Sequence, residues 1–82
     1  MQFATRVDGE YLIYAGSLEL RAGAGYMAAV VVNRTRTGRV AEQEVHRDVA
    51  LSGGHLWATS HEALTSALTQ GSRAVLHERS RS

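Results

Sequence analysis

The chain has 82 residues, nine basic and eight acidic side chains, and a formal charge of +1. That length leaves room for one domain, which would bury only about 60–65% of its unfolded surface. It has no cysteine and no proline, which excludes a disulfide framework and a thiolate metal site and argues against a disordered, linker-rich chain. No apolar run reaches the roughly 18–20 residues of a membrane-spanning helix. The start, Met1-Gln2-Phe3-Ala4-Thr5-Arg6, lacks the basic and apolar blocks of a signal peptide, so a cytoplasmic location is expected.

Near-neutral charge gives no bulk electrostatic case for nucleic acid. All nine basic residues are Arg. Functionally that would suit planar, bidentate contacts to phosphate or carboxylate. The plainer origin is codon usage in a GC-rich genome.

Asp8-Gly9 is a two-residue hairpin signal between two strand-like runs. A first strand is expected near residues 2–7 and a second near 10–21. In the second, Leu12, Tyr14, Gly16, Leu18 and Leu20 share one face, and Tyr11, Ile13, Ala15, Ser17 and Glu19 share the other. The even-numbered face is expected to meet the core, with Gly16 marking a bulge or a close approach of the helix. After the turn Ala22-Gly23-Ala24-Gly25, residues 26–33 read as a central strand, apolar on both faces. A polar loop from Asn33 to Arg39 leads to a fourth strand at about 40–50, with Val45, Val49 and Leu51 inward. Trp57 is expected to close one end of the core.

Thr59 and Glu62 form a capping-box pattern at the point where the hydrophobic period changes from two to 3.6. The helix is expected from about Ser60 to His77, burying Leu64, Ala67, Leu68, Gly71, Ala74 and Val75, with residues 78–82 as a solvated tail. The fold class that follows is α+β, a four-stranded antiparallel sheet (β-β-β-β-α) with one C-terminal helix across one face. A single helix leaves the other face bare. Ile13, Met27, Ala29 and Val31, with Ala15, are expected to form an apolar strip there that docks a protein partner or a second copy.

Residues 14–77 resemble small hypothetical bacterial proteins in which a β-meander ends in an aromatic-x-Thr-x-x-Glu-Ala segment before one helix with a mid-helix glycine. Trp57, Thr59, Glu62, Ala63 and Gly71 carry that resemblance, which implies the fold and no activity. The stretch Ser60-His61-Glu62-Ala63-Leu64 is similar to the helix of HicB-type antitoxins. Double-stranded-RNA-binding domains also lay a helix on an antiparallel meander. They begin with a helix and use lysines at the last one, where this chain has strands first and no lysine.

Arg34, Arg36 and Arg39, extended by Arg47, could contact nucleic-acid phosphates. The plainer reading is a solvated hairpin tip, whose charges guard a sheet edge. His46, His55, His61 and His77 show no metal-ligand spacing; His61 and His77 stand about 160° apart on an ideal helix. No serine sits in a nucleophile elbow, and no glycine motif cradles phosphate. The expectation is a non-enzymatic binding or self-association module without cofactor or metal, with nucleic-acid binding as the alternative. A small enzyme or a phage accessory protein is a further, weaker reading.

Overall fold

A computed structural model of the chain describes residues 2–21, 23–35 and 43–81, with nothing stated of the Ser52 and Arg81 side chains. Strands β1 (Gln2–Asp8), β2 (Tyr11–Glu19), β3 (Tyr26–Arg34) and β4 (Gln43–Asp48) form an antiparallel meander in sequence order. The short helix α1 (Leu51–Gly54) then returns the chain to β5 (Leu56–Trp57), which pairs with β3 at Tyr26 and Met27. Helix α2 (Ser60–Arg81) crosses one face. The expected α+β architecture is the one found, with α1 and β5 added.

Local chemistry places the ends of these elements. Gly9 turns the first hairpin at φ 61°, between the paired residues Asp8 and Tyr11. At the start of α2 the Thr59 hydroxyl accepts the Glu62 amide at 3.1 Å and donates to the Glu62 carboxylate at 3.2 Å. The hydroxyl-to-amide half of the expected capping box is present and satisfies one of the free amides of the first turn, while the Glu62 carboxylate accepts from the Thr59 hydroxyl in place of the cap amide. A second lock lies beside it. The buried Ser17 hydroxyl donates to Ser60 at 2.6 Å, and Ser60 donates to the Gln2 side-chain carbonyl at 2.6 Å. The helix start is thereby tied to β1 and β2. At the far end Arg79 reaches the Asp8 carboxylate at 3.0 Å and lies 5.8 Å from the Tyr11 ring centroid. Residues 78–81, expected to be a solvated tail, are therefore helix.

The core lies between α2 and one sheet face. Ala63, Ala67, Gly71 and Val75 form the helix seam, all fully buried and spaced by four residues. Leu64, Leu68 and Ala74 flank it, half-buried. From the sheet come Tyr11, Ile13, Ala15, Ala28, Val30 and Val32, with Leu51 below α1 and Trp57 packed at the margin. The odd-numbered face of β2 meets the helix, not the even-numbered face. The reason is the small size of the helix seam. It descends far enough to touch a smooth floor of Ala15, Ala28 and short branched side chains, whereas Leu12, Tyr14 and Leu18 would hold it away.

Gly71 is the closest point. A methyl group built there would run into Ile13 Cγ2 and stand 3.1 Å from Val30 Cγ2. Gly71→Ala should therefore destabilise by about 1–3 kcal/mol through overpacking, although alanine is the better helix former by about 1 kcal/mol. Urea unfolding followed by circular dichroism checks this, and an unchanged or raised midpoint would contradict the packing.

Candidate functional site

Antiparallel pairing sets which side chains share the uncovered face. Ile13 pairs with Val32, Ala15 with Val30 and Gly16 with Ala29, so odd-numbered residues of β2 lie beside even-numbered residues of β3. Ile13 and Val31 thus point to opposite sides of the sheet. Ile13 is fully buried beneath α2 and Ala15 nearly so; neither belongs to the exposed strip. Met27, Ala29 and Val31 are on the open side, half-buried among their neighbours. Their partners there are Leu18, Gly16 and Tyr14 from β2, with Phe3 beside Gly16 and Val7 beside Leu12 from β1.

The result is a larger apolar surface than the sequence reading assembled. Phe3 is 74% exposed, Val7 70% and Val49 56%, and Tyr14 and Leu18 are each 37% exposed. Val49, expected inward, lines this face together with Phe3, Leu18 and Met27. Gly16 neither bulges nor receives the helix. It pairs regularly and lies under the Phe3 ring, whose carbons stand 3.6 Å from the position of a glycine Cβ. Gly16 and Ala29, side by side, make a shallow floor at the middle of the face. Tyr14 and Val31 rise at one end of it, Leu18 and Met27 at the other.

The arginines are placed differently from a phosphate-tracking row. Arg34 is ion-paired with Glu10 at 3.2 Å. Arg47 donates to Glu44 through two nitrogens, at 2.7 and 3.0 Å. That contact holds the Glu44 carboxyl below the usual carboxylate range and raises the Arg47 guanidinium. Arg34 stands on the helix side, beside Tyr11, while Arg47 stands on the open side, beside Val31. The sheet thus separates the two. Arg36 and Arg39 lie outside the described residues.

Among the described residues no three His, Asp or Glu side chains are grouped to hold a metal ion. The Ser17–Ser60–Gln2 chain brings two hydroxyls together, but its hydrogen bonds run between hydroxyl and amide oxygens, with no base among them. No described helix is long and apolar enough to cross a membrane.

Compared with known proteins, the chain matches no family model, no curated protein and no solved structure. A β-meander followed by one helix is present, as the resemblances implied. Their finer content, membership of a family of small bacterial proteins or kinship with antitoxins, gains no support from these comparisons.

The two faces can be told apart by neighbouring residues. Val32→Glu places a charge in the core and should abolish cooperative unfolding. Val31→Glu, one residue away and facing outward, should keep the native circular dichroism spectrum. Equal damage from both would mean that the second face is covered within the chain.

Proposed function

We propose that this protein is a non-enzymatic self-association module, and that its uncovered sheet face docks on the same face of a second copy. The observation that carries the reading is the continuity of the apolar surface, from Phe3 and Val7 on β1, across Tyr14, Leu18, Met27 and Val31, to Val49. A sheet normally covers such a surface with a second layer. Within the described chain the only long helix lies on the other side.

Three features favour a second copy over other occupants. The first is area. Strands of six to nine residues, four abreast, give a face of roughly 20–30 by 19 Å. Its corrugated surface approaches the order of 800 Å² per partner of a standard interface. The second is charge. The ion pair at the margin, Arg47 with Glu44, is internally compensated, and two chains of charge +1 repel little. A strongly charged partner would find nothing to neutralise there. The third is shape. The Gly16–Ala29 floor is a shallow hole, and Phe3, Tyr14 and Leu18 are projecting groups, so each copy offers both what it needs and what its twin needs.

The test is molar mass by light scattering over a range of protein and salt concentrations. A dimer that persists in high salt is expected, because apolar burial is not screened. Val31→Glu should shift it to monomer. A wild-type monomer throughout would overturn the proposal. A complex that dissolved as salt rose would also overturn it and would favour the arginines as the contacting groups.

A further inference from the structure

The helix side of the sheet holds a second opening, independent of the docking face. Because α2 lies over β1, β2 and β3, the inner side of β4 is left partly uncovered. A β-bulge lies there: Val32 pairs with His46 and Asn33 with Glu44, so Val45 is the extra residue. Val45 and His46 both line a cleft against the C-terminal half of the helix. The facing helix residues are Gln70, Arg73, Ala74 and His77. Their i, i+3, i+4, i+7 spacing makes them one stripe of α2.

Such a stripe beside a sheet would ordinarily be apolar and closed. Here it is a solvent-open cleft of about 350 Å³ with an amide, a guanidinium and two imidazoles in its walls. Four other arginines are occupied: Arg6 by Ser72, Arg34 by Glu10, Arg47 by Glu44, and Arg79 by Asp8. The Arg73 side chain makes no hydrogen bond or ion pair among the described residues, and neither do the side chains of Gln70, His46 and His77. Val45 and Ala74 contribute apolar wall between them.

We infer that this cleft is a binding site for a small tetrahedral oxyanion of the phosphate class, gripped by Arg73 with His46, His77 and Gln70 as further N–H donors. The guanidinium fork supplies two parallel donors to oxygens of one anion. Gln70 adds an amide donor, and each imidazole adds one N–H when neutral and two when protonated. Glu78 also borders the cleft, and its charge offsets that of Arg73 at neutral pH. Asp48, on the same side of β4, accepts the Ala50 amide at 3.1 Å. The cleft therefore sets one guanidinium against one carboxylate, and its imidazole and amide N–H groups are the donors that favour an anion. Anions of this class fit better than a lone carboxylate, since the donors come from two opposing walls.

The experiment is a titration of isotopically labelled protein with inorganic sulfate. Ionic strength is held constant with sodium chloride, and the ring signals of His46 and His77 are followed by NMR. Saturable shifts at His46 and His77 are expected. His55, which packs edge-on against Trp57 at 4.6 Å, and His61 serve as internal controls and should stay still. Arg73→Gln should remove saturation while leaving the amide spectrum native, because Arg73 is exposed and not part of the core. His77→Gln should weaken binding without abolishing it, and the His46 shift should stay saturable. Linear shifts at all four histidines, shifts reproduced by chloride alone, or saturation unchanged in Arg73→Gln would each overturn the assignment.

Discussion

The seating of Gly71 on Ile13 and Val30 is the constraint from which the rest of the structure follows. A helix carrying alanine, alanine, glycine and valine along its seam can descend until its backbone nearly touches the sheet. The side chains that meet it must then be small or branched close to the backbone. Leu12, Tyr14 and Leu18 on β2 are kept out of the middle of that layer by size, while Tyr11 is accommodated at its end, beside Arg79. Close approach also concentrates the buried surface in a narrow band. Polar ties at both ends hold the band in register: Ser17, Ser60 and Gln2 at the helix start, and Arg79 with Asp8 at its end.

Two surfaces result from that band. The larger apolar side chains of the meander, displaced from the helix layer, collect on the opposite side of the sheet. The side of β4 beyond the reach of α2 stays open and keeps polar walls. The first surface is apolar, broad and compensated in charge; the second is narrow, polar and rich in donors. One suits a flat protein face, the other a small anion, and the sheet between them keeps the two apart.

The sequence made the order of elements readable because each boundary has a local cause. Asp8-Gly9 turns, Thr59 and Glu62 cap, and the hydrophobic period changes after Trp57. The choice of face was not readable. Leu12, Tyr14 and Leu18 outweigh Tyr11, Ile13 and Ala15 in apolar volume, and a ranking by hydrophobicity selects the wrong side. The missing information is the closeness of the helix, which Gly71 and its flanking alanines hinted at. Three of the four strip residues, Met27, Ala29 and Val31, proved outward because residues of one strand keep their alternation. Ile13 failed because register links the two strands, and register depends on the loop between them. Phe3 and Val7 on β1, and Val49 just past the end of β4, were missed as members of the face because none of them lies on the strands that carry the strip. The pairing of His46 with the Arg73–His77 stripe needed the bulge at Val45, which leaves no local signature in the sequence.

The central claim is that the side chains displaced by the close-packed helix form the contact between two copies. Covalent surface labelling read residue by residue, at rising protein concentration, tests it most directly. If two sheet faces meet, Phe3, Leu18, Met27 and Val49 should lose reactivity together as concentration rises. Leu76, exposed on the helix, should not change. Constant labelling of the sheet face at every concentration, or loss at Leu76 instead, would contradict the account.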